Sequence, residues 1–293
     1  MNLYPPVHEI RRLLLTAVLF AGPYADPTPS RGENPAPPPA ATNLWFPVGE
    51  TIRYDIYWGI IHVGESLVTT GWVPHDDGRT MLRIRFDTHS NKVLSKLYPV
   101  SDVQESLIDP ATFLPVYFRK DSRQGRHVYN ELTRFDHAAG KAYWESYTKG
   151  KQKVVDIQPD TRDLITMMYY IRSMNYALGT QLVTQVFTDE KIYDLFITIP
   201  RKDIVELPKY GRVASLMFEP EAAFEGLFVR KGKMYMWVSD DARRICTKIE
   251  ATVPVASVRI QIAEVTGPGE DFWVGKAKEG SPETTVLRRH KHK

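Results

Sequence analysis

The sequence predicts a mainly β protein: one large curved antiparallel sheet, an open or spiral barrel-like meander, wrapped around a single α-helix. Three observations lead there. Between residues 45 and 266, short runs alternate apolar and polar side chains, the period of a half-buried strand. Glycine-bearing turn signals separate these runs at roughly ten-residue spacing, the rhythm of a meander. Only residues 159–179 carry the three- and four-residue spacing of an amphipathic helix.

The chain has 293 residues, 43% of them hydrophobic and 25% charged, ordinary values for a globular protein. Its formal charge of +3 is too small to indicate nucleic acid. Residues 1–25 have the form of a signal peptide. Arg11 and Arg12 precede the apolar run Leu13–Ala21, which is too short to span a bilayer. No cysteine follows that run, so no bacterial lipoprotein anchor is expected, and the product is expected to be periplasmic or secreted. Residues 26–44 form a proline-rich linker that cannot bury enough apolar area to fold.

The single β-rich domain is expected over residues 45–266. Ile52, Tyr54, Ile56 and Trp58 alternate with Arg53, Asp55 and Tyr57. A returning strand runs from Glu65 to Trp72, and Asp76-Asp-Gly78 marks the next turn. Strands follow at 82–88, 101–108, 114–121, 127–136 and 141–147. After the helix they resume at 181–188, 191–199, 203–208, 214–219, 234–238, 245–253 and 257–265, fourteen in all. The one cysteine, Cys246, falls in a strand as a partly buried thiol, with no disulfide and no cysteine metal cluster available. Residues 267–293 read as a disordered basic tail.

In the helix, Leu164, Met167, Met168, Ile171, Met174 and Leu178 share one face, and Gly179 is a natural stop. Asp160 or Thr161 is placed to cap its start, with Asp163 in the first turn as a second capping or dipole-stabilising residue. Arg162 is expected to reach a strand carboxylate. Of Tyr169 and Tyr170, one packs on the sheet and the other faces a cavity mouth or solvent. Glu65 shares a strand face with Val63 and Leu67 if that strand is regular. It then needs a partner, with Arg53, Arg83 or Arg85 in reach.

No phosphate-binding glycine loop, HExxH pair, CxxC pair or Gly-x-Ser-x-Gly elbow is present. Asp87, His89 and Ser90 lie together in sequence, but neighbours on a strand point to opposite faces and cannot converge. The histidines are scattered. No catalytic residue, metal ligand or cofactor is therefore assigned.

Several stretches stand out together: Phe46–Gly59 with Val63-Gly-Glu65, Tyr98-Pro-Val-Ser-Asp102, Phe135-Asp-His137, and Asp163 with Tyr169-Tyr170. Phe224–Gly232 and Trp237–Arg244 complete the set. As a combination they resemble the bacterial domain-of-unknown-function family 3108. The resemblance implies an exported cell-envelope protein with a curved, mostly antiparallel β fold. It implies no reaction and no catalytic residues.

The function expected on these grounds is a non-enzymatic envelope module that binds an apolar or lipid-like ligand or another envelope component. Met167, Met168, Tyr170 and Met174 are the candidate ligand-binding residues, because thioethers adapt to varied apolar shapes. Glu65 and Asp163 are the polar candidates. The alternatives are an envelope hydrolase with an Asp/Glu/His site, and an interaction scaffold whose tail makes peripheral contact with the envelope surface.

Overall fold

A computed structural model describes residues 44–222, 233–253 and 256–268. The signal, linker and tail expectations, and the Phe224–Gly232 stretch, lie outside the described residues. Within them the chain forms β1 (Thr51–Trp58), β2 (Ile61–Pro74), β3 (Thr80–Ser90), β4 (Val100–Asp109), β5 (Leu114–Gln124), β6 (His127–Asp136), β7 (Lys141–Ser146) and β8 (Lys151–Asp156). Then come β9 (Arg162–Asp163), α1 (Leu164–Tyr170), β10 (Gln181–Thr188), β11 (Lys191–Leu207), β12 (Gly211–Ala222), β13 (Lys233–Ser239), β14 (Cys246–Val253) and β15 (Ala256–Thr266). All fifteen strands belong to one sheet, ordered β8-β7-β6-β5-β4-β3-β2-β1-β15-β14-β13-β12-β11-β10-β9. Every pairing is antiparallel except β9 with β10.

The strand periodicity is borne out, with three differences. The two strands expected at 191–199 and 203–208 are one strand, β11, continued across a register shift between Thr198 and Arg201. β8 was not expected, because nearly all of it is exposed and Lys151-Gln-Lys153 shows no alternation. It is the sheet's edge, and lysine there blocks further pairing. β9 is two residues long, below what any period can reveal.

The sheet winds back on itself, so that its late edge meets its early half. Lys120 of β5 pairs at 2.8 Å with Asp189 in the β10–β11 turn. Phe187 of β10 meets Phe135 of β6 edge-on, with ring centroids 5.6 Å apart. α1 lies inside this winding, against β4 and β10. One apolar cluster joins Ile165 and Tyr169 of the helix to Phe46, Ile84, Phe118 and Phe187. A second joins Met167 and Ile171 to Val186, Leu195, Leu216 and Phe218.

The helix is shorter than its period suggests. Seven α-helical residues are followed by a 3-10 turn, Ile171–Ser173, and Met174 is already extended. Leu178 is exposed, so it leaves the buried face. Burial of Arg172 explains the break, because its guanidinium is held by Glu50 and by the Arg243 carbonyl. The cap is Asp163, which accepts from the Thr166 amide, instead of Asp160 or Thr161. Among the described residues Arg162 pairs with no carboxylate. It donates to the Asp160 carbonyl and lies over the Tyr170 ring at 3.6 Å.

Candidate functional site

Two groups of charged side chains are buried, and their environments differ. The first is a clasp. Glu50, fully buried just before β1, receives Arg172 Nη1 at 2.5 Å and Nη2 at 3.2 Å, and Arg243 Nη2 at 2.5 Å. It joins the entry to β1, the turn after α1, and the β13–β14 connection. Burial pushes the Glu50 carboxyl up, but the guanidiniums of Arg172 and Arg243 outweigh it and hold it below its ordinary value. The Arg172 guanidinium stacks over Phe46 and Tyr169 at 5.0 and 4.7 Å. Burial and the Glu50 charge raise the Tyr169 phenol. Cys246 is close by, half-buried, and desolvation pushes its thiol up to about 12, away from the thiolate form.

The second group lines the inner wall of the early strands. Register places Ser66 opposite Thr88, Thr88 opposite Asp102, Asp102 opposite Ser122, and Ser122 opposite Tyr129. Inward positions on an antiparallel sheet alternate with outward ones, so these five residues form one rung across β2–β6. The next rung runs Val68, Phe86, Gln104, Lys120, Glu131, Ser146. The rung after that is mixed, Thr70, Ile84, Ser106, Phe118, Thr133 and Trp144, and one more step gives Trp72, Leu82 and Ile108, which are apolar. The wall thus grades from polar, near the β3–β4 and β5–β6 connections, to apolar at the opposite end.

Asp102 is the centre of the polar part. It is fully buried, and Gln104 Nε2 donates to its Oδ2 at 3.1 Å. Its Oδ1 is buried without a hydrogen-bond partner of good geometry among the described residues. Burial raises the carboxyl to about 7, and Lys120, Gln104 and Ser122 offset only part of that. Lys120 is nearly as buried, yet Asp189 at 2.8 Å keeps it protonated against its own desolvation. Glu131 completes the group and faces Lys149 at 3.6 Å.

Asp163 has a separate network: Ser106 Oγ donates to it at 2.6 Å, Thr166 Oγ1 at 2.7 Å and the Thr166 amide at 2.9 Å. Burial raises its carboxyl, and those donors counter the rise in part. It is both a cap and the tie between α1 and β4.

Glu65 is exposed, which corrects the expectation that it shares an inward face with Val63. Ile56 pairs with Gly64 and Tyr57 with His62, so Val63 is an extra, bulged residue that reverses the parity of the strand. Glu65 points outward and faces Arg53 at 3.8 Å. With Asp55 and His62 it forms a loose outer cluster, but the Arg53 guanidinium already occupies the position between the carboxylates. The four helix candidates are dispersed. Met167 fills the second apolar cluster, Met168 and Tyr170 pack half-buried against the first, and Met174 follows the 3-10 turn. His89 is exposed, Ser90 bonds the Val100 carbonyl, and Asp87 is held by Arg85, so that trio does not converge.

The DUF3108 profile, described as a protein of unknown function, matches residues 53–263. The chain belongs to the DUF3108 family. That match takes in the inner wall, Arg172 and Arg243, and begins just after Glu50. No curated protein matches the chain in sequence. Among solved structures, it is similar to a β-barrel-like protein of the unknown-function family DUF1849 from Brucella abortus. Identity is 12%, 75% of this chain and 98% of that one are covered, and the TM-score is 0.48. It is also similar to a protein with a YmcC-like fold from Bacteroides fragilis, at 5% identity, covering 76% and 97%, with a TM-score of 0.31. Among the described residues of this DUF3108 chain, no helix is long and apolar enough to cross a membrane.

Proposed function

We propose that this DUF3108 protein is an exported, non-enzymatic module of the cell envelope that holds a lipid-like envelope component by its polar group. The observation that carries the proposal is Asp102 Oδ1, a buried carboxylate oxygen lacking a good partner in a row of polar side chains. A buried polar atom left unpaired is costly, and a wall with only a structural role would be cheaper if apolar. A hydroxyl or amine of the ligand supplies the missing donor. Its apolar part lies along Phe86 and Phe118 toward Met168 and Tyr170. Export is supported by Arg11, Arg12 and the apolar run after them.

Native mass spectrometry of protein purified from its host envelope tests the binding. A lipid-like mass is expected on the wild type, with lower occupancy in Asp102→Asn. Wild type that carries no small molecule, and takes none from an envelope lipid extract, sinks the proposal. A second reading, a hydrolase, is favoured by the same carboxyl, since a value near 7 suits general acid–base work. It requires the extract's masses to change on incubation with wild type and to stay unchanged with Asp102→Asn.

A further inference from the structure

The connections at the two ends of the early strands differ in charge and in exposed apolar residues. At one end lie β1–β2, β3–β4, β5–β6 and β7–β8; at the other β2–β3, β4–β5, β6–β7 and the exit from β8. The second end carries Asp76, Asp77, Asp109, Asp136, Asp156 and Asp160, of which Asp77 and Asp109 share Arg79 and Asp156 pairs with Lys141, so acids still outnumber bases there. The four connections of the first end, residues 59–60, 91–99, 125–126 and 147–150, contain no Asp or Glu. They carry exposed Lys92, Lys96, Arg126 and Lys149 instead.

The same end exposes four aliphatic side chains on two adjoining loops. Ile60 is 95% exposed, Leu97 84%, Val93 74% and Ile61 64%. They belong to two neighbouring loops, tied together by Asn91, whose side chain donates to the His62 carbonyl at 2.5 Å and whose amide donates to the Val63 carbonyl at 2.8 Å. The second loop is held in shape. The Asn91 side chain accepts from the Val93 and Leu94 amides, and the Ser90 and Ser95 hydroxyls meet at 2.7 Å. The aliphatic tips are therefore presented by an ordered loop. A cluster of exposed aliphatics rimmed by lysines marks an interaction surface.

We propose that this end docks on an anionic lipid bilayer, with Ile60, Ile61, Val93 and Leu97 entering the headgroup boundary and Lys92 and Lys96 lying against lipid phosphates. Charge complementarity selects that partner: the acid-free end is drawn to a negative surface and the aspartate-rich end is repelled from it. The aliphatic tips add the apolar burial that fixes an interfacial segment. Asp189 and Glu190 also approach this side, but Asp189 is paired with Lys120, and Lys153 donates to the Glu190 carbonyl. The polar rung with Asp102 lies just inside the same end. The docking surface itself does not depend on the ligand proposed there.

Cys246 is only partly exposed and its thiol pKa is raised, so a newly introduced, fully exposed cysteine is labelled in preference to it, with unaltered protein as the labelling control. Full-length Leu97→Cys and Ala138→Cys, each carrying an environment-sensitive dye, are mixed with phosphatidylglycerol vesicles and with phosphatidylcholine vesicles. Ala138 is exposed at the aspartate-rich end. The dye at position 97 is expected to shift to the blue with phosphatidylglycerol only, and the dye at 138 with neither. Lys96→Ala is expected to weaken the response about fivefold at low salt. Ile60→Asp is expected to weaken it about tenfold or more. No shift at position 97, or equal shifts at 97 and 138, overturns the proposal. A shift at 97 that is unaltered by Lys96→Ala and Ile60→Asp also overturns it. Wild type that carries no lipid-like mass but keeps the position-97 shift sinks the ligand proposal and leaves the docking surface standing, so the two proposals fail separately.

Discussion

Glu50 and Asp102 are both fully buried carboxylates, and their surroundings drive them in opposite directions. In the clasp, two guanidiniums more than offset the cost of burial, and the carboxyl is held below its ordinary value. On the inner wall, a neutral amide, a hydroxyl and a lysine already engaged by Asp189 do not, and the carboxyl rises to about 7. A buried charge with full compensation joins three distant segments. One with an oxygen left over is available to something else. That difference separates a structural buried acid from a candidate site, and it suggests experiments graded by size.

The largest effect is expected at the clasp. Glu50→Ala leaves Arg172 and Arg243 buried without their carboxylate, at a cost of about 3–5 kcal/mol. A whole domain's margin is about 5–15 kcal/mol, so the variant should melt far below wild type or not fold. A melt within a few degrees of wild type would show that the clasp is a solvated surface pair. The sign of its pH dependence follows from the lowered value: Glu50 contributes stability above its unfolded pKa, which is lost as pH falls through the folded one.

Asp163→Ala should rank second. It removes a cap, worth about 0.5–2 kcal/mol, and strips Ser106 and Thr166 of a shared acceptor. Chemical denaturation should place it between Glu50→Ala and the wall variant. If it equals Glu50→Ala, the helix tie to β4 holds the fold as firmly as the clasp.

Asp102→Asn should be the least destabilising of the three, and the size of its effect should depend on pH. A carboxyl raised from an ordinary value to about 7 stabilises the fold most below the unfolded pKa and loses that contribution as pH rises toward 7. The variant should therefore match wild type near pH 4 and be more stable than wild type, by roughly 1–4 kcal/mol, near pH 8. Equal stabilities at both pH values would mean that Asp102 is compensated after all.

Strand existence was legible in the sequence because alternation survives wherever one face is buried. Ile52-Arg-Tyr-Asp-Ile shows this in β1, and Leu82-Arg-Ile-Arg-Phe in β3. It failed at β8, where both faces are exposed, and at Val63, where one bulged residue turned Glu65 outward. The helix was legible by period, but its end was not, because the break depends on Arg172 meeting Glu50, 122 residues away. The inner-wall row was hidden for a similar reason. Ser66, Thr88, Asp102 and Ser122 occupy the inward positions of four strands, and only register aligns them. One signal was on the page: in β4, Asp102, Gln104 and Ser106 share the face of Val100 and Ile108, where an apolar run was due.

The most direct test is an NMR titration of the side-chain carboxyl carbons of Asp102 and Glu50 in the same sample. Asp102 is expected to titrate near 7, and Glu50 below its ordinary range. An Asp102 that titrates at or below the usual aspartate value would contradict the account, because its carboxylate would then be as well satisfied as that of Glu50.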